Sequence, residues 1–352
     1  MRIAQIAPLA IRVPPQKYGG TERVIYALTE ELVKRGHDVT LFASGDSQTS
    51  AKLNAVFPIS IRESKIRPVY GLNPPLIHSI GRAYSMEKEF DVIHDHVAFP
   101  GPSLGVMMAE KCKTPAVLTL HGHLPQDHLP VFREFRKLNI VTISKDLGYD
   151  IQDLNIAGFV HNGLNMEHYP FSAEHGEYLL WVGRICIEKG THHAIVAAKR
   201  LNLPLILAGK IEETEAGQRY YRKHVKPFLN DQIRWVGEID EDERNKLMIK
   251  ALAFLHPITW REPFGLTIIE ANACGLPIVA FNLGAMPEII ENGKTGFVVQ
   301  TMDQMVEAIQ KIRTTIDRAY CRKHALTNFN ATRMAEGYEA IYKTVIEKAK
   351  RG

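Results

Sequence analysis

The chain of 352 residues holds only four cysteines, Cys112, Cys186, Cys274 and Cys321, and none forms a Cys-x-x-Cys pair with another. That scatter argues against a zinc clip or a disulfide framework and reads as four small reduced core residues. No apolar run approaches the length of a membrane span, and there is no low-complexity tract or repeat of solenoid period. The opening stretch MRIAQIAPLAIRVPP lacks the long apolar region and cleavage site of a signal peptide, so a cytoplasmic location is expected. Excess charge is scarce too. A net charge of +4 is compatible with an anionic ligand or an anionic membrane face and requires neither, and no nucleic-acid partner is expected. Neither half shows Gly-x-Gly-x-x-Gly after its first strand, and no Walker loop is present, which argues against a dinucleotide-dependent dehydrogenase.

What is present is an ordinary soluble composition, 45% hydrophobic and 23% charged, in a chain longer than one core usually fills. Two domains are the expectation. RIAQIA reads as a strand and TERVIYALTEELVKRG as a helix burying Val24, Ile25, Leu28 and Leu32, capped by Thr21 and ended by Gly36. DVTLFA, DVIHDH, AVLTLH and IVTIS continue as strands between helix-length segments, a pattern of parallel sheet covered on both faces. Periodicity then fails across a linker near 162–177. It restarts with YLLWVG, a helix over 191–201, PLILAG, IRWVGE, a helix over 241–251, AFLHP, a helix over 266–274 and PIVAF. The fold class is therefore α/β, two Rossmann-like parallel sheets in tandem with strand ends facing a common cleft. The boundaries are 1–165 for the N-terminal domain and 166–330 for the C-terminal one. A helix over about 331–349, too long for a loose tail, docks on one or both and is assigned with residues 331–352 to the first.

The stretch REPFGLTIIEANACGLPIVA places Glu262 and Glu270 eight positions apart around a Pro-Phe-Gly turn. On one continuous helix they would lie about 80° apart and about 12 Å along the axis, too far to share a small ligand. Pro263 and Gly265 instead start the helix after Glu262, which leaves Glu262 on the loop and Glu270 about a turn inside. The free N–H groups of Phe264, Gly265 and Leu266 then suit a phosphate. Ionised carboxylates only accept hydrogen bonds, so their partners should be hydroxyls. A nucleotide sugar, with phosphates in its middle and hydroxyls at both ends, meets both demands; a pair of solvated acids at a helix mouth is the plainer alternative.

Four further stretches bear on the same ligand. WVGRICIEKG puts Arg184 and Lys189 on one strand-to-helix loop, a guanidinium fork and a point charge suited to a diphosphate. QKYGGTERVI places Gly19 and Gly20 at a helix mouth, where backbone can approach a phosphate. LTLHGH ends a strand on His121. NLGAMPEIIENGKTGFVV, with Glu288, adds a Gly…Pro-Glu…Gly-x-x-Gly pattern. His94 and His96 in HDH share a strand face without a clear third ligand, so no metal is read there. VFREFRKL, which could touch a membrane or an acidic acceptor, is equally a helix burying Val131, Phe135 and Leu138.

These stretches, in this order, resemble glycosyltransferase family 4, the retaining enzymes of GT-B fold, whose Glu-x7-Glu signature matches Glu262 and Glu270. The resemblance covers nearly the whole chain. It departs from the common pattern at His161 and Asn165 in VHNGLN and at Ala285 in LGAMPE. What it implies is a hexosyltransferase in which Glu262 holds sugar hydroxyls and Glu270 ribose hydroxyls. Arg184 and Lys189, with the amides of Phe264, Gly265 and Leu266, would bind the leaving diphosphate. Gly19 and Gly20 would lie near the donor phosphate, and His121 would support the sugar from across the cleft. Glu262, His121, Arg184 and Lys189 are the expected catalytic set, with no metal and no cofactor beyond the nucleotide-sugar co-substrate. The N-terminal domain would take the acceptor, whether a glycan, a lipid-linked sugar or a small molecule; contact with the inner face of a membrane and the oligomeric state are left open. A nucleotide-sugar epimerase of the same fold and a non-catalytic nucleotide-sugar-binding subunit remain as alternatives.

Overall fold

In the computed structural model, which describes residues 1–17, 19–64, 73–97 and 104–351, the chain divides into two compact units. One comprises Met1–Asn165 together with Asn330–Gly352, the other Met166–Phe329. Tyr18, inside the Gly-Gly stretch, and Gly352, at the end of the last expected helix, lie outside the described residues.

Among the described residues the first unit carries seven parallel strands: β1 (Arg2–Ile6), β2 (Asp38–Phe42), β3 (Lys52–Asn54), β4 (Val92–Asp95), β5 (Ala116–Leu120), β6 (Asn139–Thr142) and β7 (Ile156–Phe159), in the order β3-β2-β1-β4-β5-β6-β7. The second carries β8 (Tyr178–Val182), β9 (Leu205–Ala208), β10 (Ile233–Trp235), β11 (Ala251–His256), β12 (Ile278–Phe281) and β13 (Gly296–Val299), in the order β10-β9-β8-β11-β12-β13. The central strands are buried along their length, which is why most of them read as near-continuous apolar runs; β4 is the exception, burying His94 and Asp95. Strand order reverses between β1 and β4 in one sheet and between β8 and β11 in the other. The usual ligand position in open α/β sheets lies at such a reversal, outside the carboxyl ends of the strands.

Helix boundaries follow local chemistry, with two corrections. The first helix spans Gly20–Lys34, and its N-cap is Gly19 with no side-chain cap, so Thr21 is already inside it. It ends as expected, with Gly36 at φ 84° just beyond. The helix expected from VFREFRKL is only Leu129–Glu134; it buries Leu129 and Phe132, while Leu138 is buried next to β6 and Val131 and Phe135 stay partly exposed. Pro130 sets its start, but the chain must turn extended by Phe135 to reach the sheet. The helix Glu241–Lys250 is closed by a reciprocal capping box between Asp240 and Glu243.

The long C-terminal helix, Ala331–Arg351, belongs to the first unit and buries Met334, Ala335, Tyr338, Tyr342 and Val345 there. The segment expected as a linker has no regular element between Val160 and Glu177 apart from one bridge, Leu164 to Asn330. Its second half is pinned within the other unit by two arginines of the helix Arg318–Asn328. Arg322 donates to the carbonyls of Tyr169 at 2.9 Å and Glu167 at 3.1 Å. Arg318, 1% exposed, donates to the carbonyls of Ser172 (2.9 Å), Ala251 (2.7 Å) and Ile249 (3.2 Å). A buried carbonyl that loses its donor costs about 1–3 kcal/mol. Arg318→Met is therefore expected to lower stability by about 3 kcal/mol in urea unfolding; a loss below about 1 kcal/mol would mean water takes over all three carbonyls.

Candidate functional site

β8 and β11 are neighbours at the reversal of the C-terminal sheet, so the loops that follow them, 183–190 and 257–265, leave side by side. They are laced together: the Thr259 N–H donates to the Glu188 carbonyl at 2.8 Å and the Thr259 hydroxyl to the Ile187 carbonyl at 3.1 Å. The approach needs glycine. Gly190 sits at φ 65°, and a Cβ there would overlap the Pro257 carbonyl oxygen. A third loop, after β12, holds the first glutamate by its backbone. The Ala285 N–H donates to the Glu262 carbonyl at 2.9 Å, and a side chain on Gly284, at φ 66°, would overlap the Glu262 peptide. The Gly-Ala-Met-Pro-Glu stretch thus positions Glu262, a role its sequence did not announce.

This lacing brings Lys189 and Glu262 together, Nζ to Oε2, at 2.5 Å. The same oxygen accepts the indole N–H of Trp260 at 3.1 Å, and the Lys189 ammonium lies 5.0 Å from the centre of that ring. His256, the last residue of β11, points Nε2 at Oε2 from 3.7 Å. Glu262 is 7% exposed. Burial alone would raise its pKa, but the Lys189 charge and the nearby His256 outweigh burial and hold it at about 2. Burial lowers His256 despite the glutamate beside it. At neutral pH the cluster is thus one carboxylate, one ammonium and one neutral imidazole. An ammonium has three donors; Glu262 takes one, and two remain for other oxygens.

The helix Leu266–Ala273 begins after Gly265, at φ 91°, so Glu262 precedes it and Glu270 lies in its second turn. Glu270 is 1% exposed, its Oε1 receiving Arg244 Nη2 at 2.8 Å and the Tyr169 hydroxyl at 3.2 Å. The Phe264 ring is core, packed edge-on against Phe329 with centroids 5.9 Å apart, so only its backbone is offered to a ligand. At the mouth of this helix the amide of Leu266 has no intrahelical acceptor. Arg184 and Lys189 share a loop but not a partner: Arg184 Nη1 pairs with Glu212 Oε1 at 3.1 Å, on the loop after β9 that is bridged at Ile185 and Ile211.

In the N-terminal unit Gly19 caps and Gly20 opens the first helix after β1. A side chain on Gly19 would press into Pro15 and toward Glu22, whose carboxyl is raised by burial. His121 directly follows β5, and its Nε2 lies 2.9 Å from His96 Nδ1. Burial pushes its pKa down to about 4. His94 and His96 are engaged by Thr119, Tyr342 and Gln5, and among the described residues no group of three His, Cys, Asp or Glu has the arrangement of a metal site.

Sequence reasoning missed Trp260, His256 and Arg244, and took Gly284 only as part of a motif, without its approach to Glu262. One signal was available: His256 ends the strand AFLHP as His121 ends AVLTLH. Arg244 carried none, because its pairing with Glu270 is a contact between elements far apart in the chain. Removing one member of a buried pair leaves the other charge uncompensated, a loss of about 3–5 kcal/mol. The Glu262 contribution is present above the unfolded carboxylate pKa of about 4.3 and fades as pH falls toward 2. Lys189→Met should therefore move the Glu262 titration upward from about 2, read by carboxyl carbon NMR, and cost about 3 kcal/mol at pH 7. A titration that stays put would show that Lys189 does not set it.

Residues 169–325 match the family of glycosyl transferases group 1, and residues 18–168 match glycosyltransferase family 4. Glycogen synthase of Mycobacterium tuberculosis is 27% identical over 338 residues, which span 80% of this chain and 79% of that protein. AviGT4, a glycosyltransferase involved in avilamycin A biosynthesis, superposes with a TM-score of 0.73 at 22% identity, over 99% of this chain and 98% of its own. The Anabaena protein HepE, solved with UDP-glucose, superposes at 0.72 with 18% identity, over 98% of this chain and all (100%) of its own. With one match on each half, meeting at residues 168 and 169, the chain belongs to the family 4, group 1 glycosyltransferases and has their GT-B fold.

Proposed function

We propose that the protein transfers a hexose from a nucleoside diphosphate sugar to an acceptor hydroxyl with retention at the anomeric carbon. The observation that carries this reading is the Lys189–Glu262 pair at the mouth of the helix Leu266–Ala273. It sets an ionised hydroxyl acceptor beside a cation with donors to spare, at a helix N-terminus that favours phosphate. A nucleotide sugar presents hydroxyl and phosphate in that order. The UDP-glucose bound by HepE is a ligand of this class.

In this reading Glu262 accepts from sugar hydroxyls, while Lys189, Arg184 and the amides at Phe264, Gly265 and Leu266 receive the departing diphosphate. Glu270, oriented by Arg244 and Tyr169, takes the ribose hydroxyls. The roles of Gly19, Gly20 and His121 toward the same donor belong to the proposal. The bond from the anomeric carbon to the β-phosphate oxygen breaks and its electron pair stays on that oxygen. The acceptor oxygen attaches on the same face, and its proton passes to the leaving phosphate. The chain's own work is positioning and electrostatic stabilisation of that charge, with no protein nucleophile and no metal needed. The nucleotide is a UDP or GDP type and the acceptor a glycan, a lipid-linked sugar or a small molecule.

Thermal unfolding against UDP, GDP, ADP, dTDP and their sugar conjugates tests the reading. A ligand at 100 times its Kd stabilises by about 2.7 kcal/mol, and a base-selective rise in Tm is expected. No rise with any of them, in folded protein, would refute it. Glu262→Gln should lower turnover much more than nucleotide affinity, because the nucleoside contacts lie elsewhere; full activity would remove Glu262 from the site. Arg184→Ala should weaken nucleoside diphosphate binding by about 1.5–3 kcal/mol in a calorimetric titration. Unchanged binding would leave Arg184 to its pairing with Glu212.

A further inference from the structure

His121 is the visible end of a buried hydrogen-bonded chain. His121 Nε2 lies 2.9 Å from His96 Nδ1, and His96 Nε2 lies 2.7 Å from Gln5 Oε1. Gln5 Nε2 donates to the Tyr342 hydroxyl at 3.1 Å, which lies 2.6 Å from His94 Nδ1. His94 Nε2 lies 2.7 Å from the Thr119 hydroxyl, and that oxygen lies 2.8 Å from the Tyr338 hydroxyl. From His96 to Tyr338 every member is buried, with no more than 2% of its surface exposed.

Burial lowers the pKa of all three histidines, so each is a neutral ring with one N–H and one bare nitrogen at pH 7. In such a chain one orientation dictates the next. Gln5 turns its NH2 to Tyr342 and its carbonyl to His96, so His96 must carry its proton on Nε2. His96 Nδ1 is then bare and can only accept, so His121 must donate from Nε2. On the other arm Tyr342, accepting from Gln5, gives its single O–H to His94 Nδ1. That leaves the His94 proton on Nε2, facing Thr119. All the donors point away from His121 toward Tyr338. Reversing the direction would require the Gln5 amide and both intervening imidazoles to change together, because a half-reversed chain leaves two donors or two lone pairs facing each other in a buried site.

We propose that Gln5, His96 and Tyr342 are positioning residues that hold His121 as its Nε2–H tautomer, so that its bare Nδ1 accepts a hydrogen bond from a ligand hydroxyl and offers no proton to a phosphate. The proposal rests on the reading of His121 as a contact to the donor sugar, and it adds which atom makes the contact and in which direction. His121 then discriminates by hydroxyl, not by charge. Tyr342 lies on the C-terminal helix, more than 200 positions from His121 in sequence, so that helix acts on His121 through Gln5 and His96.

The test reads the ring nitrogens of histidine-labelled full-length protein by nitrogen-15 NMR at pH 7, without ligand. Wild type should show His121, His96 and His94 each protonated at Nε2 and bare at Nδ1. A proton on His121 Nδ1 would overturn the proposal. Tyr342→Phe removes the acceptor of the Gln5 amide, and its His121 signals should shift toward a mixture of tautomers. With a donor in hand, turnover of that variant should fall about tenfold while nucleoside diphosphate affinity holds. A folded Tyr342→Phe protein with unchanged His121 signals would reduce Tyr342 to a packing residue and refute its positioning role. Because the tautomer is read in the free protein, absence of nucleotide-sugar binding would sink the functional reading and leave this measurement to judge the chain by itself.

Discussion

The C-terminal unit depends on one contact, the ion pair between Lys189 and Glu262. A carboxylate with 7% of its surface exposed would be strongly destabilising if left alone, and a cation 2.5 Å away makes it tolerable. Holding the pair requires that loops from two neighbouring strands close on each other. That closure in turn requires glycine at 190 and 284, where any side chain would strike backbone. Trp260 ties both charges, its N–H on the carboxylate and its ring beneath the ammonium. Conformational strain and close packing at these glycines serve the position of a single carboxylate oxygen.

The second glutamate shows the same logic with different means. Glu270 is more deeply buried than Glu262 and is held by Arg244 and by the Tyr169 hydroxyl, which reaches it from the segment that joins the two units. Each acid of the pair therefore has its own cation, and the two cations come from different elements, one from a loop after β8 and one from the helix Glu241–Lys250. A helix mouth carrying two acids would otherwise repel a phosphate. Neutralised one by one, they leave the helix terminus and the spare donors of Lys189 to set the local sign of the field.

Most of the fold was legible because central parallel strands are buried on both faces and cannot hide their apolar runs. The strands that escaped, β3, β7 and β13, are outermost in their sheets and only three or four residues long, so half-exposure dilutes their pattern. At the candidate site, residues that act through local spacing were visible: Glu262 before the helix, Glu270 within it, Lys189 and Arg184 on one loop. Partners that meet only in three dimensions were not. Arg184 read as a companion to Lys189 because they are five positions apart, yet it pairs with Glu212 across a bridge between loops. The Thr21 cap failed for a similar reason. Gly19 takes the N-cap position two residues earlier, with no side-chain cap.

The division of the chain places Met166–Phe329 inside the sequence of the other unit, whose last helix, Ala331–Arg351, follows all of it. As the chain leaves the ribosome, the C-terminal unit is complete before the N-terminal unit receives that helix, although domains ordinarily mature in the order of their synthesis. Until Tyr338 and Tyr342 arrive, His94, Thr119 and Gln5 lack the hydroxyls that satisfy them in the finished protein. The N-terminal sheet therefore waits for a helix encoded beyond the other unit. Synthesis itself thus withholds an ordered His121 until the whole of Met166–Phe329 and the helix after it have been made.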